Sequence, residues 1–136
     1  MASRLNPYLS FRGNAREAME FYRSVLGGEL NLMTFGQFGG AAGADADQIM
    51  HGQLETPAGY TLMGSDTPPG MSYHPGDNFT VSLSGDDAEE LRGYFAGLAE
   101  GGTVQTPLEK QMWGDEFGAL TDKFGVPWLV NIGAPR

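Results

Sequence analysis

Two histidines, at positions 51 and 74, are the first candidates for chemistry in this chain of 136 residues. Imidazole can bind a metal or move a proton near neutral pH. His51 lies in an alternating run, and Gln53 follows two residues later, so in a strand the two share a face. That pairing makes His51 the one catalytic candidate, as a general base or a single metal ligand, with Gln53 orienting a substrate. Which face they occupy depends on the register of a hairpin through residues 56–59, which spacing leaves open by one residue. His74 stands in Ser72-Tyr73-His74-Pro75-Gly76 and reads as a surface residue in a turn. Trp113, in Met112-Trp113-Gly114-Asp115, can either cover a cleft with its indole or pack into the core. Tyr8, Phe11, Phe79, Phe117 and Trp128 lie on or near strands, where core packing is the first reading.

Several chemistries are excluded. Cysteine is absent, so there are no disulfides, thiolate metal sites or thiol nucleophiles. Gly64-Ser65-Asp66 lacks the flanks of a nucleophile elbow. Gly36-Gln37-Phe38-Gly39-Gly40 is not placed between a strand and a helix, and no H-E-x-x-H occurs. Asp45 and Asp47 fall in a glycine-rich loop, residues 39–47, and read as solvated. Eight basic against 17 acidic residues give a net charge of −9 and a pI near 4.4. Such a surface repels phosphate backbones and anionic lipids, so neither nucleic acid nor membrane is an expected partner. No apolar stretch follows Arg4 as in a signal peptide, and none nears the ~18 residues of a membrane span. A cytoplasmic location is the expectation.

These side chains need a scaffold, and an internal repeat supplies one. Leu9-Ser10-Phe11-Arg12-Gly13-Asn14 lies beside Val81-Ser82-Leu83-Ser84-Gly85-Asp86 at an offset of 72. Gly27-Gly28 matches Gly101-Gly102, and Gly59-Tyr60 matches Gly125-Val126. Ala15, Ala18, Met19, Tyr22, Val25 and Leu26 form one apolar helical face. Asn14 is its expected cap, with Glu17 at the capping-box position, and Gly27-Gly28 its stop. Asp86 is the expected cap of a second helix with the face Ala88, Leu91, Phe95 and Leu98. Residues 29–38, 48–55, 60–63, 103–113, 116–121 and 127–132 read as strands. The chain is thus expected to be a single α+β domain over 1–136. It comprises a βαβββ module at 5–64, a linker at 65–76 and a second βαβββ module at 77–133. Mixed sheets would curve around a cleft, with the helices outside.

Asn6-Pro7-Tyr8-Leu9-Ser10-Phe11, Gly13-Asn14-Ala15, Phe21-Tyr22 and Leu26-Gly27-Gly28 resemble the opening of the vicinal oxygen chelate superfamily, which includes glyoxalase I, bleomycin-resistance proteins and extradiol dioxygenases. Met50-His51, Leu62-Met63-Gly64-Ser65-Asp66, Trp113-Gly114-Asp115 and Asp122-Lys123-Phe124-Gly125-Val126-Pro127-Trp128 resemble its PhnB-like subgroup. The resemblance implies paired βαβββ modules, a homodimer and a cup-shaped site. It also implies a divalent metal on two side chains from each module, on the first and last strands. At the repeat offset these fall on Pro7 and Met63, and on Phe79 and Leu129. None is a hard-metal ligand, so no metal and no other cofactor is expected unless that placement is wrong. Nothing resembles an S-adenosylmethionine loop, so neither a methyltransferase nor a metal-dependent glyoxalase I is expected.

Three functional readings follow. The first is a protein that binds a small molecule in an apolar aromatic cleft lined by His51, Gln53, Phe11, Met63, Phe79, Trp113 and Leu129. The second is a lyase, isomerase or dioxygenase with a relocated site around His51. The third is a globular protein whose cleft is filled by its own side chains. Two further His or Glu residues on inner strands would have favoured the second, and fold likeness alone does not choose among them.

Overall fold

A computed structural model describes residues 3–38, 46–68 and 70–134. The elements run β1 (Tyr8–Phe11), α1 (Ala15–Leu26), β2 (Glu29–Thr34), β3 (Ile49–Glu55), β4 (Thr61–Asp66), β5 (Val81–Gly85), α2 (Ala88–Ala99), β6 (Thr103–Lys110), β7 (Glu116–Thr121) and β8 (Pro127–Ile132). This is the expected α+β pair of βαβββ modules. The first sheet has the order β1-β4-β3-β2 and the second β5-β8-β7-β6. In each, the first and last strands of the module run parallel, and the other pairs are antiparallel. The chain divides into two compact units, Met1–Pro75 and Gly76–Arg136.

Each sheet packs one face on its own helix. In the first unit α1 buries Ala15, Ala18, Met19, Tyr22 and Leu26, with Val25 half-buried. Each large side chain so buried contributes about 1.5–3 kcal/mol. Met19 lies over two glycines paired across β3 and β4, Gly52 and Gly64. A Cβ at Gly64 would stand 3.1 Å from the Met19 sulfur, so these residues let the helix approach closely. In the second unit Leu91, Phe95 and Leu98 are buried, and the Phe95 ring occupies the same place over Gly118.

Both expected helix caps are corrected. Asn14 makes no side-chain capping bond. The Asp66 carboxylate accepts instead, from Gly13 N at 2.7 Å and Ala15 N at 3.0 Å. In α2 the cap is Asp87, not Asp86; its Oδ1 accepts from Glu90 N at 3.1 Å. Two strands are shorter than expected. β2 stops at Thr34, where Gln37 Oε1 accepts from Thr34 N, and a 3-10 turn spans Gly36–Phe38. β6 stops at Lys110, and Gln111 N donates to Asp115 O to close a turn. β4 runs on to Asp66, past the expected end at 63 and into the start of the expected linker. Of the glycine-rich loop, residues 39–45, Asp45 among them, lie outside the described residues; Asp47 is exposed.

The repeat is real, but its strand offset is not 72. The hairpin turns match atom for atom at 66: Tyr60 O accepts from Thr56 N as Val126 O does from Asp122 N, and the next turn closes at Gly59 and Gly125. Leu9 pairs with Gly64, and Leu83 with Val130. Since Gly64 and Val130 are equivalent at 66, Leu9 corresponds to Leu83, an offset of 74. Thr67 N bonding to Phe11 O, and Gly133 N to Gly85 O, repeat that relation. The helices correspond at 73.

Candidate functional site

The β3–β4 register pairs Glu55 with Thr61 and Gln53 with Met63. Gly52 and Leu54 are buried on the α1 side, which leaves His51, Gln53 and Glu55 on the opposite, open face. The hairpin register open in the sequence is therefore resolved, and His51 and Gln53 do share a face. Tyr8, opposite Met63 on β1, is half-exposed on the same face.

These side chains form a hydrogen-bonded chain. Tyr8 Oη lies 3.4 Å from His51 Nδ1, and their rings are tilted at 39° with centroids 5.8 Å apart. His51 Nε2 lies 3.4 Å from Gln53 Oε1. The Gln53 amide donates to Glu55 Oε2. Thr61 Oγ1 donates to Glu55 Oε1 at 2.6 Å, and Arg4 donates to Thr61 at 2.7 Å and to Glu55 at 3.3 Å. Bonds from Thr61 and Gln53 hold the Glu55 carboxyl below its ordinary range; burial opposes them, and the Arg4 charge adds a lesser pull in the same direction as the bonds. The alternation of His51 and Gln53 was readable in the sequence; Thr61 joins Glu55 only through strand pairing, and Arg4 reaches it from the segment ahead of β1.

Other expected site residues lie elsewhere. Phe11 is a correction: it is 1% exposed, on the α1 side of the first sheet with Leu9, and lines no open surface. Met63 is half-buried on the open face between Tyr8 and Gln53. In the second unit Leu129 is half-buried on the face of β8 opposite α2, paired with Ser82 and Ala119. Phe79 precedes β5 and is exposed. Trp113 is 60% exposed at the tip of the β6–β7 hairpin, edge-on to Phe117 at 6.3 Å. His74 is exposed.

Sequence reasoning passed over a cavity of about 590 Å³ in the second unit, lined by Ser84, Asp86, Asp115, Asn131 and Gly133 among others. Asn131 Nδ2 donates to Asp115 Oδ2 there at 3.0 Å. Among the described residues no group of three or more His, Cys, Asp or Glu side chains is placed to hold a metal. No described helix is long and apolar enough to cross a membrane.

The family model described as Glyoxalase/Bleomycin resistance protein/Dioxygenase superfamily matches residues 4–130. Protein YjdN of Escherichia coli (strain K12) is 32% identical over 140 residues, covering 94% of each chain. The crystal structure of protein PA1353 from Pseudomonas aeruginosa superposes with a TM-score of 0.88 at 39% identity, covering 98% of this chain and 100% of that one. A Bacillus cereus PhnB protein, described as a putative 3-demethylubiquinone-9 3-methyltransferase, matches in fold with a TM-score of 0.72 at 23% identity, over 96% of this chain and all of that one.

Proposed function

The chain belongs to the Glyoxalase/Bleomycin resistance protein/Dioxygenase superfamily, and from that premise we propose that it binds a small molecule on the open face of its first sheet, around Tyr8, His51, Gln53 and Met63, without the superfamily's metal. The hydrogen-bonded chain on that face carries the reading. Tyr8, half-exposed, and His51 and Gln53 are set on the strands that flank the apolar Met63, the mixture of orienting polar groups and apolar surface that ligand sites use. That mixture is more polar than the apolar aromatic lining expected, so the ligand carries polar groups.

The strand register supports the loss of the metal. At an offset of 74 the equivalent positions on the first and last strands are Tyr8 with Met63, and Ser82 with Leu129. Correcting Phe79 to Ser82 still brings no histidine or carboxylate to either pair, and a thioether does not suit a hard divalent ion. The residues do not fit the metal, and no step is derived through one. A cytoplasmic homodimer remains part of this proposal, with its assembly to be read by sedimentation.

The test joins two measurements. Purified protein incubated with manganese, zinc, nickel or iron(II) should retain far less than one ion per chain by elemental mass spectrometry. A thermal-shift screen of small metabolites should yield stabilisers whose effect falls at least fivefold in affinity in His51→Ala. One tightly held ion per chain would overturn the metal-free reading; stabilisers indifferent to His51→Ala would overturn the site.

The His51 contacts also favour a second reading, an enzyme in which His51 acts as general base and Gln53 orients the substrate. It requires turnover of a stabilising compound that His51→Ala abolishes while the circular dichroism is unchanged.

A further inference from the structure

The polarity of the chain on the first sheet follows from the chemistry of its anchored end. An ionised carboxylate has no proton to give. Glu55 takes bonds from Arg4, Thr61 and Gln53, so the Gln53 amide must point its NH2 at Glu55 and its oxygen at His51. An amide oxygen only accepts, so in the neutral ring the proton sits on His51 Nε2. Nδ1 then offers a lone pair, and the Tyr8 hydroxyl donates its single proton to it. Tyr8 Oη is left presenting lone pairs to its half-exposed side.

We propose that Tyr8 Oη is the ligand-facing hydrogen-bond acceptor of this protein, and that it selects ligands bearing a donor group such as an ammonium or hydroxyl. Toward Tyr8, Gln53 and Glu55 are positioning residues that act through His51. The inference rests on the first sheet's open face being the ligand site, but the polarity can be read without any ligand.

The test uses full-length protein with 15N-labelled imidazoles at about pH 8.5, where an ordinary imidazole is neutral. His74→Gln assigns the two rings. His51 should carry its proton on Nε2. Tyr8→Phe, a change at a half-exposed site, should move the Nδ1 resonance toward that of an unbonded nitrogen while Nε2 stays protonated. Glu55→Gln, whose amide can donate or accept, should raise the fraction protonated on Nδ1 with the fold intact by circular dichroism. A proton on Nδ1 in the unmodified protein, or an unmoved Nδ1 in Tyr8→Phe, overturns the polarity. Ethylammonium chloride and sodium acetate are then titrated at equal ionic strength. Ethylammonium should shift the His51 Nδ1 resonance and acetate should not. The reverse order overturns the donor class and leaves the site standing. Silence from both overturns the site along with the donor class, while the tautomer result stands alone.

Discussion

Asp66 is 2% exposed, and its two oxygens accept from three backbone N–H groups: Gly13, Ala15 and Ile49. One side chain thus caps α1 and fixes the start of β3. Asp66→Ala leaves three donors without that acceptor and should cost about 3 kcal/mol, read by urea denaturation. Asp66→Asn keeps one acceptor oxygen and should lose less; equal losses would show that packing, not hydrogen bonding, is at stake. The sequence named Asn14 as the cap because capping is local, whereas the Asp66 partners lie 53, 51 and 17 residues away. A second residue-scale expectation concerns pH. Glu55 and Glu116 have lowered carboxyl values, Glu55 chiefly from Thr61 and Gln53, Glu116 chiefly from Arg92. A value below the unfolded one favours the folded state above the ordinary 4.5, and that contribution is lost as pH falls through the lowered folded value. The stability gap between the protein and Glu55→Gln should therefore be constant above pH 5 and narrow below about 4.5, as followed by thermal denaturation. A gap that widens on acidification would contradict the assignment.

Elements with a helical period were legible, because α1 and α2 each bury one face and a glycine pair follows, directly after α1 and beyond the Glu100 cap after α2. Gly27 and Gly101 have φ of +77° and +76°, and the next glycine in each pair presses on the strand opposite. A Cβ at Gly28 would lie 2.1 Å from Glu55 O, and one at Gly102 2.4 Å from Thr121 O. Both contacts are with backbone, so Gly28→Ala and Gly102→Ala should each destabilise by more than about 2 kcal/mol, compared by chemical denaturation. A tolerated alanine at either position would contradict the shared geometry. Strand ends were less legible. The Gln37 amide and the Gln111–Asp115 bond end β2 and β6, and neither contact leaves a mark in hydropathy. Site residues were legible where alternation placed them, as with His51 and Gln53. They were not where an aromatic could serve either face: Phe11 went to the core and Trp113 to a hairpin tip.

At the scale of the whole molecule, the two units each carry a helix, a four-stranded sheet and their own buried core. Residues 67–80, from the end of β4 to the start of β5, contain no helix or strand among those described, and Met71 and Phe79 are exposed there. Limited chymotrypsin digestion should cut first between residues 71 and 79, ahead of Trp113 in its hydrogen-bonded turn, with the fragments identified by mass spectrometry. A first cut inside either sheet would contradict that organisation. The first and last strands keep one register in both units, Leu9 on Gly64 and Leu83 on Val130, although the chain between those strands differs in length, and that bears on descent as well as geometry. Moving a strand by two residues returns every side chain to the face it left, so the core is undisturbed while each open-face position receives a new neighbour. After a duplication, an insertion or deletion of two residues beside such a strand would change what the module offers a ligand in one mutational event, whereas a change of one would expose the core and be removed by selection.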